Sequence, residues 1–158
     1  MKSCSFTGHR NVEKHHLQGI FGLLDRAISY AYNEGCRDFF VGGALGFDTL
    51  AAKQVILFRI HHPDVKLHVI IPCKTQADSW SSSQVRTYEY ILGMADTVEC
   101  LSDTYTTECM RARNQRLVDL ADVVIAYVSR YNSGAAQTVR MAQRAGKKVY
   151  NLYPALNE

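Results

Sequence analysis

The run Asp122-Val123-Val124-Ile125-Ala126-Tyr127-Val128, leading to Ser133-Gly134-Ala135-Ala136-Gln137-Thr138, decides how this chain folds. Its first part is a continuous apolar stretch of strand length, the pattern of a strand covered on both faces. Beyond the turn, Val139, Met141, Ala142 and Ala145 recur at helical spacing until Gly146 stops the helix. A strand that passes through small residues into a helix makes a place for anions. The glycine lets the backbone come close to a ligand, and the helix start offers unpaired N–H groups and the positive end of its dipole. The plainer reading of the same residues is a loop in which Ser133 caps the helix.

Outward from this unit the chain keeps the same alternation. Residues 3–7 read as a first strand, and 12–34 as a helix whose Leu17, Ile20, Phe21, Leu24, Ala27 and Ile28 share a face, ended by Gly35. Residues 38–41 form a second strand, followed by a Gly42-Gly43 turn. A helix over 47–61 then carries Leu50, Ala51, Val55 and Phe58 toward the core, and 66–71 is the third strand. After Pro72 a serine-rich stretch over 75–83, interrupted by Trp80, reads as the longest irregular segment, either a binding loop or a plain connection. A helix through Tyr88, Ile91 and Leu92 to about residue 95 follows, then a strand over 97–101, a helix over 106–120, and a closing strand over 147–152. Strands alternating with longer amphipathic helices predict an α/β fold with a mainly parallel sheet of about six strands and right-handed crossovers. No linker interrupts the pattern, so residues 1–158 are expected to form one domain.

Composition narrows the function classes. The chain has 158 residues, enough to bury a core without metals or disulfides, and its 47% hydrophobic and 21% charged content is that of a globular protein. The N-terminal apolar run is too short for a signal peptide, which predicts a cytoplasmic protein with no membrane association. The five cysteines never fall into a CxxC spacing and read as reduced thiols, with Cys4 and Cys100 in strands acting as small apolar side chains. A net charge of +3 disfavours nucleic acid as a partner, although Arg111, Arg113, Arg116, Arg140 and Arg144 fall close enough in sequence to form a local patch.

In an open parallel sheet, ligands lie outside the carboxyl ends of the strands near the point where strand order reverses. Three such loops share a chemistry of glycine, hydroxyl and charge: Thr7-Gly8-His9-Arg10, Gly42-Gly43-Ala44-Leu45-Gly46-Phe47-Asp48, and the Ser133 turn. All three are expected to open on one edge. Arg10 can fork two N–H donors onto a phosphate, and His9 can donate or accept. The second loop is neither a Walker A, since no Gly-Lys-Ser/Thr follows, nor a GxGxxG fingerprint. Asp48 is placed either to cap its helix or to accept hydrogen bonds from a ribose. On the helix over 106–120, Met110, Arg113, Asn114 and Leu117 share a face. If its first turns border the same edge, Arg113 reaches an anion held by the Ser133 turn and Asn114 reaches a base or sugar. The pairs His15-His16 and His61-His62 point apart on a helix, so no metal is assigned. No Cys-His or Ser-His-Asp set has a supporting spacing.

Taken together, FTGHR at 6–10, GGALGFDTLAA at 42–52, the Gln76/Trp80 stretch, MRARNQRLVDLAD at 110–122 and SGAAQTVRMA at 133–142 resemble the SLOG superfamily, and more narrowly its YpsA-like group of small stand-alone bacterial proteins. The resemblance spans almost the whole chain. It implies a Rossmann-like three-layer fold, a pocket for a nucleotide or nucleotide-derived ligand, and a homodimer. The superfamily also contains the LOG-type phosphoribohydrolases, which split a nucleoside monophosphate into base and ribose phosphate, and DNA-processing proteins that bind single strands. The Met110-x-x-Arg113 pattern resembles the LOG one. The LOG turn PGGxGTxxE carries a catalytic Glu three residues after its Thr, and here that place is Met141, which cannot take or give a proton.

These readings predict a binding or sensing protein for a nucleotide-type ligand, held by Thr7, Gly8, His9, Arg10, Gly42, Gly43, Ala44, Asp48, Arg113, Asn114, Ser133, Gly134 and Thr138. Trp80 is either a base-stacking platform or a loop anchor. The alternative is an N-glycosidic hydrolase of nucleoside monophosphates, with Arg113 steadying ribose phosphate and Asp48 stabilising positive charge at the anomeric carbon. Single-strand binding is the least favoured, since it asks for a continuous basic groove with exposed aromatics.

Overall fold

The computed structural model describes residues 2–129 and 133–157. Six strands, β1 (Lys2–Gly8), β2 (Cys36–Val41), β3 (Lys66–Ile71), β4 (Thr97–Cys100), β5 (Val123–Tyr127) and β6 (Lys148–Asn151), form one sheet in the order β4-β3-β2-β1-β5-β6. Every neighbouring pair is parallel. The helices are α1 (Leu17–Asn33), α2 (Phe47–His61), α3 (Ser82–Met94), α4 (Thr107–Leu120), α5 (Gly134–Arg144) and a short α6 (Tyr153–Leu156). This is an α/β Rossmann-like three-layer fold. With right-handed crossovers, α1, α2 and α3 cover one face of the sheet and α4 and α5 the other; α1 packs on α2, α2 on α3, and α4 on α5 accordingly.

The order of the strands fixes where a ligand can enter. From β1 the chain steps outward to β2, β3 and β4, then returns across the sheet to β5 on β1's other side. β1 and β5, in register from Cys4 opposite Val123 to Gly8 opposite Tyr127, therefore flank the point where direction reverses, and their connecting loops part to leave a crevice. All five residues of β5 are buried, as its unbroken apolar run requires, whereas the edge strands β4 and β6 are largely exposed. The core is built from Cys4, Phe6 and Phe39 of the sheet with Ile20, Leu24 and Ile28 of α1 and Phe47, Ala51 and Val55 of α2. No helix among the described residues is long and apolar enough to cross a membrane.

The structure departs from the sequence reading at several element ends. The helix expected from residue 12 starts as a 3-10 turn at Lys14–His16 and becomes α only at Leu17, while Leu17 and Phe21 remain 40% and 38% exposed rather than in the core face. Cys100 is exposed at the end of the edge strand, unlike Cys4, Cys36, Cys73 and Cys109, which are buried; all five are free thiols. The serine-rich stretch is shorter than expected because α3 begins at Ser82. Ser81 accepts a hydrogen bond from Gln84 N at 3.2 Å, and the Gln84 side chain accepts one from Ser81 N at 2.9 Å, a reciprocal cap. Ser81→Ala is expected to lower stability by about 1 kcal/mol, seen as a lower urea midpoint at unchanged slope. An unchanged midpoint would show that the cap is not holding the helix start.

Candidate functional site

Each of the three loops leaves the carboxyl edge with its local geometry set by the strand before it. His9 N donates to Tyr127 O at 3.2 Å, extending the β1–β5 ladder by one bond beyond the strands. Ser129 N donates to His9 Nε2 at 2.8 Å, so that nitrogen is an acceptor and the ring proton sits on Nδ1. His9 thus ties the loop after β1 to the end of β5. Phe47 N in turn donates to His9 O at 3.1 Å, fastening the loop after β2 to the loop after β1. On the third side Ser133 caps α5 by accepting from Ala136 N at 3.0 Å.

Together these segments enclose a cavity of about 300 Å³. Its walls are residues 6–10 from the first loop, Ala44 and Asp48 from the second, Met110, Arg113, Asn114 and Leu117 from α4, and residues 133–135 from the start of α5. The three converging loops and the helical face expected to join them therefore meet at the reversal point of the sheet. Phe6, Met110 and Leu117 give the cavity an apolar side that the choice of candidate residues left out. The signal for it was present, since Met110 and Leu117 share the helical face of Arg113.

Arg113 sits differently from a free anion receptor. It is 5% exposed, with Nη1 donating to Gly42 O at 2.6 Å and Nε donating to Asn114 Oδ1 at 2.9 Å. A Cβ on Gly42 would lie 2.5 Å from Arg113 Nη1 and 2.9 Å from Asp48 Oδ2, so only glycine lets this turn pass between the two charged groups. Asp48 does not cap its helix, whose N-cap is Gly46; its Oδ2 accepts from Ala44 N at 3.2 Å and braces the turn upstream. Burial raises the Asp48 carboxyl to a pKa of about 6, against the pull of the nearby Arg113 guanidinium and the N–H groups of Ala44 and Gly42. Burial likewise lowers the pKa of Arg113, which Asp48 partly offsets.

Other candidates lie outside the cavity walls. Thr138 is buried and donates to Gly134 O at 2.9 Å within its own helix, so its hydroxyl is turned back from the ligand side. Trp80 packs edge-on against Tyr88 with ring centroids 5.1 Å apart, the loop-anchor arrangement. Gly43 O accepts from Gln76 Nε2 at 3.4 Å, which joins the glycine turn to the same anchor. Glu13, His15 and His16 bring possible metal ligands within 4.8 Å of one another. His16, however, has Nδ1 against Tyr127 Oη and Nε2 against Asn157 Oδ1, each at 2.6 Å, which leaves it no lone pair for an ion.

Solved structures with this architecture include DNA processing protein A (DprA) from Streptococcus pneumoniae, with a TM-score of 0.67 and 19% identity over 96% of this chain. This chain spans 50% of that protein. DprA from Helicobacter pylori, described for its single-stranded DNA binding mode, has a TM-score of 0.67 and 20% identity, covering 94% of this chain and 63% of its own. TM1055 has a TM-score of 0.58 and 18% identity over 94% of this chain and 72% of its own. Among sequence relatives, a UPF0398 protein of Bacillus thuringiensis strain Al Hakam is 24% identical, over 97% of this chain and 88% of the relative. One from Bacillus cereus strain G9842 is 26% identical, over 93% and 85%. The model of the YspA SLOG family (YpsA) matches residues 4–154, nearly the whole chain, and the chain belongs to that family.

Proposed function

We propose that the cavity outside β1 and β5 binds a nucleotide or nucleotide-derived ligand. The observation that carries this reading is the convergence of Arg10 and the first turn of α5 on one partly apolar cavity at the reversal point of the sheet. Arg10 and the N–H groups of residues 134 and 135 receive the phosphate, Asn114 and Thr7 face the sugar, and the Phe6, Met110 and Leu117 side takes the base. A volume of about 300 Å³ suits a ligand of mononucleotide size. Arg113 acts through the glycine turn that it holds. The protein works in the cytoplasm, where its five thiols stay reduced, and as the homodimer expected from its family.

Titration calorimetry against purine and pyrimidine nucleoside 5′-monophosphates tests this. At least one is expected to bind, and Arg10→Ala to weaken it by roughly tenfold or more, the worth of one charge-assisted contact. Arg10 is exposed, so the unliganded variant keeps its melting temperature. No binding across the panel would overturn the reading.

Hydrolysis of the ligand is the second reading, and it rests on Asp48, a carboxyl in the cavity wall with a pKa of about 6, within the range useful for proton transfer. Met141 lines the adjoining groove between α4 and α5 and offers no proton. Chromatography of the same mixtures is expected to return intact nucleotide; released base would replace binding by N-glycosidic cleavage.

A further inference from the structure

The cavity does not end at its walls. Met110, Asn114 and Gly134 are shared with a second, larger groove of about 540 Å³ that runs outward between α4 and α5. The charged side chains lining this groove are Arg111, Arg140 and Arg144, with Thr107 and Gln137 beside them and no carboxylate. Arg111 comes from α4 and Arg144 from the last turn of α5, so the positive charge faces the groove from both helices. Among the described residues neither Arg111 nor Arg144 has an ion-pair partner, whereas Arg37, Arg59 and Arg116 each hold a carboxylate at 2.8 to 3.0 Å.

The segment that supplies α5 carries no carboxylate of its own. From Val123 to Asn157 there is no Asp or Glu, while Arg140, Arg144, Lys147 and Lys148 fall within that span. A net charge of +3 over the whole chain therefore hides a local concentration of one sign. Arg111 and Arg144, facing each other across a concave surface whose lining holds no carboxylate, focus an attractive potential for anions. Their forked guanidinium groups match phosphate geometry.

We propose that the ligand is a nucleotide bearing a second phosphate, which leaves the cavity past Asn114 and Gly134 and is received by Arg111 and Arg144. This rests on the nucleotide reading of the cavity and adds to it the class of ligand. Two sources share this chemistry: a pyrophosphate-linked dinucleotide, and a short single strand whose next phosphodiester occupies the groove.

The test compares four probes by titration calorimetry on the native chain and on an Arg111→Ala/Arg144→Ala double variant. They are a nucleoside 5′-monophosphate, the 3′,5′-bisphosphate of the same nucleoside, a pyrophosphate-linked dinucleotide, and a 5′-phosphorylated dinucleotide strand. The native chain is expected to bind at least one two-phosphate probe about tenfold or more tightly than the monophosphate. The double variant should lose that gain while holding the monophosphate as the native chain does. Both arginines are exposed, and an unchanged thermal melt confirms that the variant is folded. Preference for the pyrophosphate-linked probe or for the strand identifies the source. Equal affinity for all probes, or a gain that survives in the double variant, overturns the second-phosphate proposal and leaves the cavity reading standing. No binding of any probe overturns both.

Discussion

Gly46→Ala is expected to destabilise the protein by about 4 kcal/mol or more and to abolish ligand binding in whatever fraction stays folded. Gly46 has φ of 76°, a conformation that costs a side-chain-bearing residue on its own account, and it is the N-cap of α2. Its added methyl would lie 2.0 Å from the backbone oxygen of Arg10 and 2.4 Å from the carbonyl carbon, so no side chain can rotate out of the way. Relief requires the loops after β1 and β2 to separate. That breaks the bond from Phe47 N to His9 O and displaces Arg10 from the cavity. Urea denaturation measures the first effect and nucleotide titration the second. A variant within 1 kcal/mol of the native chain would show that the two loops are not locked together.

The contrast between this locked junction and the rest of the site explains what could be read from residue order. The three loops were legible because each follows a strand and each carries small residues where backbone must approach backbone or ligand. The same logic places the cavity once the strand order is inferred. The Thr138 hydroxyl is not readable as a ligand contact from sequence, because at the fifth helical position it is within reach of the carbonyl one turn back, and Gly134 O takes it. The charge of Arg113 points to a ligand, and its spacing from Met110 and Leu117 sets it on the covered stripe of α4, where it lines the cavity. Two donors of this buried guanidinium go to protein, to Gly42 O and Asn114 Oδ1. The α4–α5 groove was visible in sequence only as scattered arginines; its freedom from carboxylates on both walls needs the helices brought together.

Asp48 carries the second large effect. In the unfolded chain its carboxyl titrates near 3.8, and in the folded chain burial raises this to about 6. The native state therefore holds the proton more tightly. The stability that this group contributes is fully present below about pH 4 and is lost as pH rises through 6, by roughly 3 kcal/mol in all. Exposed carboxylates such as Glu13, Glu34 and Asp64, whose pKa values are lowered by hydrogen bonds and nearby positive charge, push the other way in the same range. The effect is thus read as a difference. Asp48→Asn keeps the shape and an oxygen for Ala44 N, and fixes the group in its neutral form. Stability of the variant minus that of the native chain should grow by about 2.5 kcal/mol between pH 4 and pH 7.5; a flat difference would show that Asp48 is hydrated. The same poise couples the residue to its ligand. A phosphate entering the cavity places like charge near the carboxylate and raises its pKa further, so binding near pH 6.5 draws in a proton. Calorimetry in buffers of different ionisation enthalpy should record more proton uptake for the native chain than for Asp48→Asn, and equal uptake would place the anion away from this wall of the cavity.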